Sequence, residues 1–304
     1  MSIITIAQAV PSRLFSIYAA LYESSAGELK DRLEACATPP SLRTRGGDED
    51  GELVTTLFKN TLTEARRLGL VEEVEERLRI PNDLRSSVQG VVGRETKFRD
   101  HLLKVLFNTV LAEDAQQSGF MLALSWFLTN SPLIPLGFST PPQNQLEKQL
   151  GMQYSRTELT SLSRYQNFLY WARFLGFATI VGRDNEDGKD TRWVFPDPLV
   201  AIDSALLKVF SDDSELSVEV FMVRLCNIYP VFEGGTARQE IDSMLGVSPY
   251  VDDRKLSQST SVALQRLQDR QRLNLVSRSD APMVIFDLGT SERRVSHVIM
   301  RGQA

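Results

Sequence analysis

The chain has 304 residues, of which 42% are apolar and 24% charged, so it is long enough for two or three globular domains with their own cores. Its formal net charge of -5 excludes a protein that coats nucleic acid through a general positive field, although local basic faces are compatible with that total. Two cysteines, two histidines and no apolar run of the ~18–20 residues needed for a membrane span predict a cytoplasmic protein without a metal site.

The first predicted unit, residues 1–95, contains three helices and a short hairpin. The helices are expected from Pro11, over 26–37 and over 53–68, and the hairpin over 70–80. The third helix carries three basic residues and one glutamate. The hairpin carries four glutamates, Glu72, Glu73, Glu75 and Glu76. Carboxylates repel the phosphates of a duplex, so we interpret this unit as a protein-interaction module.

The second predicted unit, residues 96–196, begins with a helical connector and a loop rich in proline and glycine at 131–142. A long helix is expected over 156–175. It is followed by a hairpin whose two strands meet at an Asp187–Gly188 turn. The first half of the helix, with Arg156 and Arg164 among serines and threonines, is rich in short donors suited to phosphates or base edges.

The third predicted unit, residues 197–304, has helices near 199–210, 215–229, 236–245 and 256–272. Its hairpin is expected to pair Leu275–Arg278 with Met283–Leu288, and a last strand or helix near 293–300 completes the unit.

A shared helix ending recurs in the three units. Residues 62–69 and 169–176 both read L-x-x-A-R-x-L-G before two apolar residues, and a weaker copy closes at 272–276. Gly69, Gly176 and Asn274 are therefore predicted to stop their helices in the left-handed conformation, which Gly and Asn tolerate best. A helix that ends in such a stop and is followed by a hairpin is typical of the last part of a winged-helix domain. The predicted fold is mostly α with small β-hairpins (α+β), made of tandem winged-helix domains joined by helical segments.

The third unit is predicted to be the main DNA-binding unit. Residues 254–272 contain five basic residues and one acidic residue. At 100° per residue, Lys255, Ser259, Arg266 and Arg270 fall within about 60° of one another. The alternative is that these arginines only solvate a surface helix. The candidate DNA-binding residues are Arg156, Arg164, Lys255, Ser259, Arg266, Arg270 and Arg278.

Three segments of the first unit, 7–14, 39–42 and 62–70, resemble the DpdG family. That family belongs to bacterial genomic islands that insert 7-deazapurines into DNA and carry an associated restriction arm. The resemblance covers about the first quarter of the chain. It implies a cytoplasmic bacterial defence component that acts on or around DNA together with other proteins, and it transfers no functional residues.

No catalytic motif is found in the sequence: no serine elbow, no paired carboxylates in a known setting and no phosphate-binding loop. We therefore expect a non-enzymatic adaptor of a bacterial DNA-defence (restriction) complex, without a cofactor. Its expected partners are double-stranded DNA and proteins of that complex, with a homodimer as a further form and no membrane contact. The alternatives are a stand-alone winged-helix transcriptional regulator and a purely structural protein-binding scaffold.

Overall fold

The computed structural model of the chain describes residues 2–6, 9–37, 48–85, 90–108, 117–183, 191–248 and 250–301. It divides into two compact units, Met1–Ala115 and Gln116–Ala304. The sequence predicted three domains, and the boundary predicted between residues 196 and 197 lies inside the second compact unit. The three-domain division stays a prediction. No helix in the described ranges is both long and apolar enough to cross a membrane.

The described residues of the first unit form five helices and one hairpin. Its elements are α1 (Pro11–Glu23), α2 (Lys30–Ala37), α3 (Asp48–Arg67), β1 (Glu72–Val74), β2 (Arg77–Arg79), α4 (Asn82–Arg85) and α5 (Gly90–Phe107), after a 3-10 turn at Ile3–Thr5. Pro11 suits the first turn of α1 because its missing N–H would have had no partner there. The buried face of α1, with Leu14 and Tyr18, packs on α3 and α5, where Phe98 lies 5.3 Å from the Tyr18 ring.

The second unit opens with three helices and a three-stranded sheet. These are α6 (Ser118–Thr129), β3 (Leu136–Gly137), α7 (Gln143–Leu150), a 3-10 helix at Gly151–Thr157, α8 (Leu162–Leu175), β4 (Ala178–Val181) and β5 (Trp193–Pro196). Trp126 and Trp171 are fully buried in its core, and Phe127 meets Phe168 edge to face. The loop expected at 131–142 supplies strand β3. The Asp187–Gly188 turn lies outside the described residues.

The rest of the second unit repeats this plan with insertions. It contains α9 (Leu199–Phe210), β6 (Glu215–Ser217), α10 (Val218–Ile228), α11 (Thr236–Leu245), α12 (Tyr250–Asp253), β7 (Lys255–Leu256), α13 (Gln258–Asp269), β8 (Leu273–Val276), β9 (Val284–Asp287), β10 (Glu292–Val295) and β11 (His297–Met300). Helix α11 packs on α6 and α7, and Phe177 contacts Tyr229 and Phe232. Both halves of this unit thus share one packed interior.

One order of elements occurs three times in the described parts of the chain: helix, strand, helix, helix, strand, strand, with the last strand central in the sheet. In the third copy α11, α12 and β7 are inserted before the third helix, α13, and β9 and β10 are inserted before the last strand. The sheets run β3-β5-β4 and β6-β11-β8. In the first unit an isolated bridge from Glu28 to Leu78 places a one-residue strand beside β2, whose other neighbour is β1. We call these three segments, 11–79, 118–196 and 199–300, the first, second and third repeats. The prediction of a mostly helical α+β chain with small sheets is confirmed.

Two of the three predicted helix stops are confirmed. Gly69 and Gly176 have φ values of 66° and 90°. The third prediction is wrong, because Asn274 lies in β8 and Gln271, with φ 60°, occupies the equivalent position. The equivalence is set by hydrogen bonding: the N–H after the stop donates to the carbonyl five residues back in all three cases, from Leu70, Phe177 and Arg272.

The predicted hairpin of the third unit is also wrong. Strand β8 pairs with β11, not with 283–288, whereas β9 pairs with β10 across a turn at 288–291. Gly289, with φ 83°, makes that turn possible, and the N–H of Leu288 donates to the carbonyl of Ser291. The hairpin β9–β10 is therefore inserted between two strands that pair with each other, and it is joined by β7.

Candidate nucleic-acid interface

An open polar helix face lies on α8, the third helix of the second repeat. Ser163, Gln166, Tyr170 and Arg173 fall within about 80° at 100° per residue. Ser163 and Arg173 are exposed, Gln166 is partly exposed and Tyr170 is 41% exposed. Hydroxyl, amide, phenol and guanidinium groups in one stripe are the donors that contact phosphates and base edges.

The local sequence fixes both ends of this helix. The Ser161 hydroxyl caps α8 by accepting a hydrogen bond from the N–H of Arg164, and the Arg164 guanidinium donates to the Thr160 hydroxyl at 3.1 Å. At the other end Gly176 takes the left-handed conformation, in which its N–H bonds to the Arg173 carbonyl. Strand β4 begins two residues after this stop, so the hairpin of β4 and β5 lies next to the end of α8.

The electrostatics of this surface are positive over its described part. Residues 159–183 and 191–196 contain four arginines, Arg164, Arg173, Arg183 and Arg192, and no aspartate or glutamate. No ion pair joins Arg173 to another residue of the described ranges. Arg192 lies over the Phe138 ring at 3.8 Å, and that ring meets Tyr170 edge to face. The four acidic residues of the hairpin all lie in 184–190, outside the described residues.

Of the two residues predicted in the second unit, one lies on α8, although at 100° per residue it is about 180° from Arg173 and outside the stripe. Arg164 lies in the first turn of α8. Arg156 does not lie on the helix as expected, because the chain forms a 3-10 helix over Gly151–Thr157 and breaks at Glu158, whose φ is 58°. The Arg156 guanidinium forms an ion pair with Glu240 of the third repeat.

The third helix of the third repeat, α13, is enclosed. The Ser259 hydroxyl donates to the carbonyl of Leu128 in α6, the Ser261 hydroxyl accepts from the N–H of Asp287 in β9, and Gln265 accepts from Arg293 in β10. The first exposed residue of the helix is Asp269. This helix is therefore less open to solvent than α8, although the Arg266 side chain remains 42% exposed.

The stripe predicted for this helix is not formed. Lys255 lies in strand β7, so it has no helical register with the others, and Ser259 is 1% exposed and faces the protein interior. The prediction that Ser259 contacts DNA is corrected by this burial. Arg266 forms an ion pair with Asp197 at 2.8 Å.

The remaining predicted residues differ in their surroundings. The Lys255 ammonium lies 2.9 Å from Glu292 and 3.1 Å from Asp287, and hydrogen bonds to these two carboxylates raise its pKa. Arg278 forms an ion pair with Glu215 at 2.5 Å. Arg270 caps the end of α13 and is exposed, without an ion pair inside the described part of the chain. Lys255 and Arg278 are thus paired within the third repeat, and Arg266 is paired with Asp197 just before it.

In the first repeat, the end of helix α3 is neutralised by its own carboxylates. Arg66 forms an ion pair with Glu73 of the hairpin, and Arg67 contacts Glu64 one turn earlier at 2.6 Å. At the hairpin tip Glu75 and Glu76 are exposed. The first repeat therefore offers an acidic edge instead of a basic one.

Sequence reasoning counted the α8 arginines but missed the stripe, because a count of charges does not show which face of the helix reaches solvent. A helix started at Ser161, the residue with the N-cap pattern, places Ser163, Gln166, Tyr170 and Arg173 on one face. Within the described ranges, no three His, Cys, Asp or Glu side chains are arranged to hold a metal ion.

A model of the DpdG-like family matches residues 1–281. The match extends far beyond the first quarter of the chain, where the resemblance was visible in the sequence, and includes the whole second repeat. No curated protein and no solved structure gives a significant match to the chain.

Proposed function

We propose that this chain, which belongs to the DpdG-like family, is a non-enzymatic DNA- and protein-binding component of a bacterial DNA-defence (restriction) complex. Membership of the family links the chain to the DpdG-associated system. The adaptor role, the contact with DNA and the partners are our proposal, and they are supported by the arrangement of the three repeats.

Each repeat is proposed to be a winged-helix domain. The supporting observation is the order of elements, with the first strand between the first two helices and the last strand central in the sheet. A winged helix places its third helix in the major groove of DNA and its hairpin along the backbone, so the exposure of the third helix decides whether a repeat can bind DNA.

The second repeat is the proposed DNA-binding domain. The observation that carries this proposal is the solvent-facing stripe Ser163, Gln166, Tyr170 and Arg173, which contains no carboxylate. The sequence between β4 and β5 carries four acidic residues at 184–190, so the helix, and not the tip of the hairpin, is proposed to contact the duplex. Of the third helices, α8 presents an open stripe, α13 is hydrogen-bonded to α6, β9 and β10, and the described end of α3 is paired with glutamates.

The first repeat is proposed to contact a protein partner. Its hairpin tip carries exposed Glu75 and Glu76, which would repel the phosphates of a duplex held along the backbone-contacting edge of a winged helix. A partner with a basic surface is the complement of this edge.

The test compares two triple variants that remove the same number of positive charges. One replaces Arg164, Arg173 and Arg183 with alanine. The other replaces Lys255, Arg266 and Arg270. Binding to a fluorescently labelled duplex is measured by anisotropy at 50 mM salt. We expect the first variant to bind at least about tenfold more weakly and the second to bind like the unchanged protein, because only the first loses phosphate contacts.

The other outcomes assign the contact elsewhere. Loss of binding only in the second variant would move the DNA contact to the third repeat. If the folded, unchanged protein does not bind a duplex, the alternative of a structural scaffold that binds only proteins would be favoured. A preference of about 10³-fold or more for one sequence over random DNA would favour the stand-alone transcriptional regulator.

A further inference from the structure

A polar cleft lies inside the second unit, away from the α8 stripe. It is formed by the end of α7, by α11 and α12, and by the start of α13. Its volume is about 760 Å³, within the range that small-molecule sites occupy in proteins. Lys148, Tyr250 and Gln258 lie in its wall, together with the buried side chain of Arg238.

Three buried polar atoms of this wall have no hydrogen-bond partner: Arg238 Nη1, Tyr250 Oη and Gln258 Oε1. Arg238 is only 8% exposed, and its Nη1 lies 3.3 Å from Glu233 Oε1 without hydrogen-bond geometry. A buried polar group left without a hydrogen bond costs about 1–3 kcal/mol. Arg238 Nη1 keeps Glu233 as an ionic partner, so the Tyr250 hydroxyl and the Gln258 carbonyl are the two atoms that most need a partner from outside the chain.

The groups around these three atoms are held in place. Glu233 accepts hydrogen bonds from the N–H of Ser257 at 2.8 Å and from the Thr260 hydroxyl at 3.0 Å. Asp242 accepts from Arg238 Nε at 2.7 Å. The Gln258 amide donates from Nε2 to Asp287, which leaves its carbonyl oxygen as the free end. The Arg238 and Gln258 side chains are therefore each anchored by another hydrogen bond.

The three atoms without a hydrogen bond define the chemistry of the ligand. The ligand needs an acceptor for Arg238, a group that bonds to the Tyr250 hydroxyl, and a donor for the Gln258 carbonyl. Glu233 and Asp242 flank the single guanidinium, so a bare anion is disfavoured there. A nucleobase carries acceptors and donors side by side on its edges, and arginine and glutamine are the side chains that read them. Exposed Lys148 at the rim suits a phosphate.

We propose that this cleft binds a mononucleotide, with the edge of the base at Arg238, Tyr250 and Gln258 and the phosphate at Lys148. The ligand is a small molecule, and its site shares no residue with the α8 stripe. The cleft lies between helices of the second and third repeats, so an occupied cleft links the two halves of the second unit.

The test uses the full chain and the four nucleoside 5′-monophosphates AMP, GMP, CMP and UMP, each with its nucleoside, in isothermal titration calorimetry. We expect at least one nucleotide to bind. Tyr250→Phe removes only the unpartnered hydroxyl, so it should weaken that nucleotide about tenfold while leaving the melting temperature of the ligand-free protein unchanged or raised. Lys148→Ala should weaken the nucleotide but not its nucleoside.

Tyr22→Phe in the first unit is the matched control, and it should leave nucleotide binding unchanged. Absence of binding by all four nucleotides at millimolar concentration would overturn the proposal. Binding that neither Tyr250→Phe nor Lys148→Ala changes would also overturn it, because the ligand would then lie elsewhere. The proposal that the protein binds duplex DNA is tested separately with the two triple variants, so neither result of the nucleotide titration decides it.

Discussion

His101 shows how one side chain makes the stability of the first unit depend on pH. Its Nε2 lies 2.8 Å from the carbonyl oxygen of Leu68, one residue before the Gly69 stop. Burial lowers the pKa of His101 below its ordinary value of 6.5, since the charged ring is poorly solvated there. The ring is therefore neutral in the folded protein at pH 7.

Replacing His101 with glutamine should remove this pH dependence. The unfolded chain takes up the proton near pH 6.5 and the folded chain only at lower pH, so the free energy of unfolding falls as the pH drops from about 6.5 toward the folded pKa. We expect urea titrations at pH 7.5 and 5.5 to show this fall in the unchanged protein and a smaller one in His101→Gln. Equal falls in both proteins would contradict the assignment.

At the scale of elements, the three helix stops share one hydrogen-bond pattern but differ in residue type and in the space available for a side chain. Gln271 carries a side chain in the left-handed conformation, which costs a non-glycine residue about 1–2 kcal/mol. Gly176 cannot take a side chain, because a Cβ there would lie 2.9 Å from the Ala201 nitrogen and from the Val200 Cβ. A Cβ at Gly69 would meet the His101 ring at an ordinary 3.7 Å.

These differences predict an order of effects on the second unit. Gln271→Gly should raise the free energy of unfolding by about 0.5–1 kcal/mol, because it relieves the conformational cost but adds chain entropy to the unfolded state. Gly176→Ala should lower it by more than about 1 kcal/mol, since the clash adds to the conformational cost. Thermal or urea unfolding monitored by tryptophan fluorescence measures both. A stabilising Gly176→Ala would contradict the geometry.

The sequence predicts the elements best where the signal is local. Gly69 and Gly176 were identified because glycine is the common residue at this position, whereas Gln271 gives no such signal and Asn274, three residues later, gives a misleading one. The partner of β8 could not be predicted, because the inserted hairpin β9–β10 separates it from β11.

The candidate site was harder to predict than the elements, for a physical reason. The charge of a helix can be counted in the sequence, but the face that reaches solvent is decided by what packs against it. Helix α13 has more basic residues around it than α8, yet contacts with α6, β9 and β10 enclose it. The count of basic residues favoured α13 as the DNA-contacting helix, whereas solvent exposure favours α8.

For the whole molecule, the net charge of -5 implies that any contact with DNA is local. An acidic protein repels a duplex over most of its surface, so binding must come from a few arginines that the duplex reaches together. On α8 and its hairpin these are Arg173, Arg183 and, on the opposite face at the start of the helix, Arg164, so no more than about three phosphates are neutralised. A salt titration counts such contacts directly, because each one releases counterions.

The salt dependence should therefore be shallow. With about three phosphate contacts, the affinity for a duplex should fall about 40-fold between 50 and 200 mM salt, from a log–log slope of about -2.7. Anisotropy titrations at four salt concentrations measure this slope, and the Arg173→Ala variant should reduce it by about one contact. A slope near zero would argue against phosphate contacts, and one near -9 would require a basic surface much larger than the second repeat provides.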